Sequence, residues 1–189
     1  MDFITNLPSS SGFDSIFVVV DRLTKMAHFI AYNKNVNTEQ TARLIFQEVV
    51  RLHGAPEEII LDRGPQFASK FWKQLFKLLG MKVNLSSAYH PQMDGQSERV
   101  NQILKQYLCY TINYYQNDWA KLLSFAEFAY NNFTHLSTQT APFLANYRFH
   151  LCFDVQSSVP ASVPSAKTTV VHLQKIQEKL VDGLGAIQE

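Results

Sequence analysis

Leu61-Asp62-Arg63-Gly64-Pro65-Gln66-Phe67 and Tyr89-His90-Pro91-Gln92-Met93-Asp94-Gly95-Gln96-Ser97-Glu98-Arg99-Val100-Asn101-Gln102 are the two stretches that decide how this chain is read. The first puts a carboxylate, Asp62, at the end of the apolar run Ile59-Ile60-Leu61. The second puts another, Glu98, at the start of a helical pattern, with 35 residues (63–97) between the two acids. A third acid, Asp2, opens the chain beside Phe3-Ile4. Three carboxylates without a cysteine-histidine set suit hard divalent cations, because Mg²⁺ takes oxygen ligands and keeps positions for water and substrate phosphate. Such a set points to chemistry on phosphodiesters. Each acid alone has a plainer explanation: Asp62 starting a turn, Glu98 pairing along a helix face, Asp2 as a solvated terminus.

The rest of the chain sets bounds on that chemistry. At 189 residues and 46% hydrophobic content, one domain with a sizeable core is expected. No apolar run is long enough to span a bilayer, and the start lacks the basic and apolar stretches of a secretory signal, so neither membrane nor export is expected. Cys109 and Cys152 stand alone, and the six histidines are scattered, which argues against a zinc site or disulfide framework. Net charge is only +1, low for a chain that would neutralise many phosphates. Local groups, such as Arg22 with Lys25 or Arg99 with Lys105, then count for more than the sum, though a solvated face is the plainer reading of each unless the three acids place the substrate beside it.

Periodicity gives an order of elements. Residues 2–5, 14–21 and 26–32 are rich in Phe, Ile and Val with turn residues between, the pattern of a three-strand meander. A helix is expected from Thr38, which is placed to cap it, to Gly54 and Pro56, which stop it. A short strand at 58–62, a helix at 67–79 ending at Gly80, and a strand at 82–85 follow. Helical patterns then cover 95–113 and 119–131. The order predicts an α/β fold with parallel crossovers after the meander. Residues 156–169, rich in Ser, Val, Pro and Ala, read as a linker, and 170–189 as a helical tail, cut short, with Leu173, Ile176, Leu180 and Ile187 on one stripe.

Helical period also assigns neighbours to Glu98. Positions 101, 102 and 105 share its face, so Asn101, Gln102 and Lys105 are expected to look toward the acids. Asn101 could hold a phosphate oxygen or a metal-bound water, and Lys105 a DNA phosphate, with an ordinary surface charge as the alternative for Lys105. His90 is read as a solvated loop residue, and Asp14, Asp21 and Asp94 as weaker candidates for the acid set.

The set Asp2, Asp62, Glu98 resembles the catalytic core of retroviral and retrotransposon integrases. The stretches MDFITNLP, FVVVDRLTKMAHFI, LDRGPQFASKFW, AYHPQMDGQSERVNQ and FAYNN are similar to integrases of gypsy-type long-terminal-repeat retrotransposons, over roughly residues 1–155. This resemblance implies a ribonuclease-H-like fold, a five-stranded mixed sheet of order 3-2-1-4-5 flanked by helices. It implies Asp2, Asp62 and Glu98 as catalytic residues and ligands of two Mg²⁺ or Mn²⁺ ions, and an activity that trims element DNA 3′ ends and joins them to target DNA. Tyr89 lies in a loop whose family counterpart approaches DNA, so it is expected to contact the DNA end. Met93 departs from the small hydroxyl residue of related elements. A homodimer or higher homo-oligomer acting in the nucleus, with no membrane partner, completes the expectation. No zinc-binding His-His-Cys-Cys domain of the kind the family carries upstream is expected within these residues. Asp2, at the edge of the chain, is expected to fray and to bind metal weakly. Two other functions remain open at this point: a defective or host-retained remnant binding DNA or protein without catalysis, and a ribonuclease H acting on RNA·DNA hybrids.

Overall fold

Apolar β-branched and aromatic side chains make the first three strands. In the computed structural model, which describes residues 1–61, 70–85, 95–152, 167–171, 173–175 and 178, these are β1 (Asp2–Ile4), β2 (Ser15–Val20) and β3 (Ala27–Tyr32), adjacent in the order β1-β2-β3. β1 runs antiparallel to β2, with Asp2 opposite Val18, Phe3 opposite Phe17 and Ile4 opposite Ile16. Ser15 to Val18 are buried without a break, the pattern of a strand covered on both faces. Phe3 stacks on Phe17 with ring centres 4.7 Å apart.

Asn37, and not Thr38, caps the first helix, α1 (Thr38–Ile45). Its side chain accepts from the Gln40 N–H at 2.9 Å, while the Gln40 side chain accepts from the Asn37 N–H at 3.1 Å. Two backbone donors that the helix leaves open are thereby satisfied reciprocally. The helix passes through a π-helical turn at Phe46–Val50 into α2 (Arg51–His53) and ends at Gly54, whose φ of +80° is open to glycine without a Cβ clash.

β4 (Glu58–Leu61) and β5 (Lys82–Leu85) pair in parallel, Ile59 opposite Val83 and Leu61 opposite Leu85, with α3 (Lys70–Leu78) between them in the chain. Phe17, Ile30, Tyr32, Ile45, Ile59, Leu61, Trp72, Phe76 and Met81 close into one buried cluster, which fixes the strands and helices to each other. Partly buried Met1 and Phe3 pack against it, so β1 is held by its own apolar side chains.

The expected single sheet of five strands is not what the described residues form. They form a three-stranded sheet, β1-β2-β3, and a two-stranded one, β4-β5. The reason lies in β1, which is only three residues long and offers little ladder to a fourth strand. The Met1 nitrogen does donate to the Ile60 carbonyl at 3.0 Å, a single main-chain link from the start of β1 to β4.

The chain divides into two units, Met1–Val20 with His28–Asn101, and Asp21–Ala27 with Gln102–Glu189. α4 (Gly95–Thr111) buries Val100, Leu104, Tyr107 and Leu108, as its period requires. α5 (Trp119–Asn132) buries Trp119, Leu123, Ala126, Tyr130 and Asn131. The short α6 (Pro142–Tyr147) carries Pro at its first turn and packs Phe143 on Phe128, ring centres 5.6 Å apart. Residues 153–166, where most of the linker is expected, lie outside the described residues, and 167–171 are helical. Of the tail's apolar stripe, Ile176, Leu180 and Ile187 also lie outside them. Among the described residues no helix is long and apolar enough to cross a membrane.

Candidate metal centre

Asp2 is carried by β1, half-buried, and both of its carboxylate oxygens are engaged. Oδ1 accepts from the Phe3 N–H at 2.7 Å, and Oδ2 accepts from the Asn101 side-chain amide at 2.5 Å. This corrects the expectation that Asp2 frays. A main-chain donor and a buried side chain hold the carboxylate, and the Met1 link to Ile60 holds the backbone just before it.

Asn101 is the residue that helical period best singled out. It is 8% exposed and reaches Asp2 across 99 positions of sequence. An ionised carboxylate only accepts, so Nδ2 must face Asp2 and the amide oxygen must face away. That Oδ1 is buried and has no hydrogen-bond partner among the described residues, and the same holds for Oε1 of Gln96 on the same helix. A buried acceptor left open costs about 1–3 kcal/mol, so an unfilled carbonyl beside a carboxylate marks a place for a donor or a cation. The donor set fits the implied ion: carboxylate and amide oxygens are hard ligands, and the waters that Mg²⁺ retains are hydrogen-bond donors.

Glu98 lies in the first turn of α4 and is exposed. It precedes Asn101 by three positions, so the two share a helix face with Cβ atoms about 5–6 Å apart. Through Asn101, the Asp2 carboxylate is therefore tied to the face that carries Glu98. Gln102 and Lys105 are exposed, and the structure gives neither a bond to the acids. Asp62 and Tyr89 lie outside the described residues, as do His90, Met93 and Asp94. Leu61, immediately before Asp62, is the last residue of β4 and is 1% exposed. Among the described residues, no three His, Cys, Asp or Glu side chains cluster as a metal cage.

Asp14 and Asp21, the weaker acid candidates, serve turns. The Lys34 N–H holds the Asp14 carboxyl below the usual range, with the Ser15 hydroxyl adding to it. Burial raises that of Asp21, but the Thr24 hydroxyl and the Thr24 and Leu23 N–H groups outweigh it and bring the net shift down.

Comparison with known proteins places the chain in a family. Residues 1–91 match the family described as Integrase core domain. Over 149 residues, 79% of the chain, the sequence is 41% identical to the Tf2-3 polyprotein of a Schizosaccharomyces pombe transposon, and to the same extent to the Tf2-4 polyprotein. The chain spans 11% of the length of these relatives. In structure it is similar to the integrase catalytic core domain of HTLV-2 in complex with magnesium, in its trimeric form. That likeness has TM-score 0.56 and 17% identity, over 75% of this chain and 97% of that one. It is also similar to a chain of the simian T-cell lymphotropic virus intasome in complex with PP2A regulatory subunit B56 gamma, with TM-score 0.62 and 18% identity, over 86% of this chain and 56% of that one. At such identity these likenesses speak for the fold, which is that of integrase catalytic cores. The chain belongs to the integrase core domain family. Within it, the likeness is to the integrase cores of gypsy-type long-terminal-repeat retrotransposons.

Proposed function

We propose that this chain is the catalytic core of a DNA integrase, a metal-dependent polynucleotidyl transferase that trims element DNA 3′ ends and joins them to target DNA. The observation that carries the proposal is the Asp2–Asn101 bond, which ties the first acid to the helix turn of the third. Asp2, Asp62 and Glu98 are the proposed ligands. The Met1–Ile60 link supports the approach of Asp62, since it sets the backbone one residue before Asp2 beside the backbone two residues before Asp62. The finer sheet order 3-2-1-4-5 is proposed on the same link, with β1 beside β4.

Two Mg²⁺ or Mn²⁺ ions, when bound, supply Lewis-acid stabilisation of the attacking and leaving oxygens of an in-line displacement at phosphorus. The chain's own groups do the rest. Asp2 presents oxygens whose direction is set by Phe3 N–H and Asn101, so little reorganisation accompanies loading. Asn101 Oδ1 accepts a hydrogen bond from water or a hydroxyl at the reacting centre. Tyr89 contacts the DNA end, while Gln102 and Lys105, exposed on α4, meet phosphates. DNA, in both element and target, is the partner, a homodimer or higher homo-oligomer is the working form, and the nucleus is the place of action. The segment read as a linker, 156–169, leads into the helical tail, with helix already present from 167.

The test is joining of labelled DNA duplexes that carry the terminal repeat sequence of the encoding element. Wild-type chain with Mn²⁺ yields joined strands, and Asp62→Asn yields none. Equal joining by the Asp62→Asn chain, or joining in the presence of a chelator, would overturn the proposal.

A further inference from the structure

We infer that the turn Asp21–Met26 is a pre-formed clamp for a DNA phosphate backbone, with Arg22 as its principal contact and Lys25 as its second, and with Asn131 as the residue that holds it in place. The inference rests on the integrase reading for the identity of its ligand. Its geometry lies within one unit of the molecule, which contains both the turn and the helices that anchor it.

The turn is closed by its own polar groups. The Asp21 N–H donates to the Met26 carbonyl at 2.8 Å and the Lys25 N–H to the Asp21 carbonyl at 2.9 Å. The Asp21 carboxylate accepts from the Thr24 N–H at 2.9 Å, the Thr24 hydroxyl at 2.5 Å and the Leu23 N–H at 3.3 Å. This carboxylate, although exposed, is thus engaged by three donors of the turn itself. Lys25 adopts φ +66° and sends Nζ to the Arg22 carbonyl at 2.6 Å, which leaves two of its three N–H groups for a ligand.

Two amides of the following helices fasten the turn from below. Asn131 of α5, fully buried, accepts from the Ala27 N–H and donates to the Ala27 carbonyl, each at 2.8 Å. It does for Ala27 what a neighbouring β-strand would do, across 104 positions of sequence. Asn146 of α6 donates to the Met26 sulfur at 3.4 Å. Such anchoring is more than a surface turn needs for its own stability, and it lowers the entropy lost when Arg22 and Lys25 grip a ligand.

What the anchored turn offers is positive charge. Arg22 is exposed, and among the described residues no acidic side chain is bonded to its guanidinium. Leu23, 83% exposed, stands between the two cations, apolar enough to lie against deoxyribose faces. In a chain with a net charge of +1, DNA binding depends on places where cations outnumber anions and are held ready, and this turn is one. A guanidinium also fits phosphate oxygens through paired N–H donors.

The salt dependence of binding to a DNA duplex, measured by fluorescence anisotropy on the full chain, tests the inference. Each lost phosphate contact lowers the slope of log K against log salt by about 0.9 for duplex DNA. Arg22→Ala is expected to lower it by about 0.9. Adding Lys25→Asn, which keeps the positive φ while removing the charge, lowers it by about 1.8 in all. Asn131→Leu leaves both charges in place but frees the turn, and is expected to weaken binding while the slope falls by less than in the double variant. A slope unchanged by Arg22→Ala and by the double variant overturns the clamp, including the case in which this turn serves a protein partner. Failure of the integrase reading shows differently: the wild-type chain then binds duplex without Mn²⁺-dependent joining. Absence of any duplex binding by the wild type overturns both.

Discussion

The side-chain amide of Asn101 donates to Oδ2 of Asp2 at 2.5 Å, and this bond connects the first strand to the helix turn bearing Glu98. A residue that orients a metal ligand without itself being charged acts on affinity and rate together. Asn101→Ala is expected to lower Mn²⁺-dependent joining by about 10- to 100-fold, the usual cost of losing a partner that orients a ligand. Thermal unfolding of the variant should stay close to wild type, since the substitution also removes the orphaned Oδ1. A joining rate within twofold of wild type would show that Asp2 needs no such partner.

Asn131 satisfies both backbone groups of Ala27 from within α5. In Asn131→Leu, a buried N–H and a buried carbonyl lose their partners, at about 1–3 kcal/mol each. Urea unfolding should show a loss of about 2–4 kcal/mol, and hydrogen exchange at the Ala27 amide should rise before global unfolding. An unchanged midpoint would mean that another group takes over both bonds.

Trp72, 1% exposed, stacks on Phe76 with ring centres 5.1 Å apart inside the cluster that packs β1 against β4. Trp72→Ala is expected to cost about 3–5 kcal/mol, by lost transfer energy and the cavity left behind. Because Met1 and Phe3 lean on the same cluster, the variant should lose joining activity along with stability. Phe71, 36% exposed, is the control, and Phe71→Ala should unfold within about 1 kcal/mol of wild type.

Stability should fall at both ends of the pH range. Burial pushes the Tyr107 phenol up to about 12, opposed in part by the Thr111 hydroxyl. The fold therefore binds this proton more tightly than the unfolded chain, whose tyrosine titrates near 10. That stability is complete below pH 10 and is lost as pH rises from 10 to about 12. Asp14 and Asp21 have lowered values, so their contribution is present above the ordinary 3.8 and lost as pH falls below it. Tyr107→Phe should flatten the alkaline limb in a pH series of thermal midpoints. If the limb is unchanged, other groups drive alkaline unfolding.

Most of the elements are legible from local signals because short-range physics fixes them. The Val and Ile runs marked β2 and β4, the spacing of Val100, Leu104, Tyr107 and Leu108 marked α4, and Gly54 marked the end of α2. Thr38 looked like a cap because hydroxyls cap helices, yet Asn37, one position earlier, had Gln40 at the spacing that completes a reciprocal pair. α6 escaped notice because six residues carry too little periodicity, though Pro142 at its first turn was a usable sign. The five-strand order was carried over from the resemblance, and a three-residue β1 does not sustain it as one ladder among the described residues. At the site, helical spacing put Asn101 beside Glu98. What it could not show was that the amide is spent on Asp2, because that contact joins positions 99 apart. Asn131 stands in the stretch FAYNN, but a side chain that substitutes for a β-strand leaves no periodic trace.

The most direct test of the central claim is a crystal structure of the chain grown with saturating Mn²⁺, with the ions located by anomalous scattering. The account predicts Mn²⁺ held by Asp2, Asp62 and Glu98, with Asn101 still on Asp2. It is contradicted if these three carboxylates point to separate parts of the molecule and no Mn²⁺ lies on Asp2.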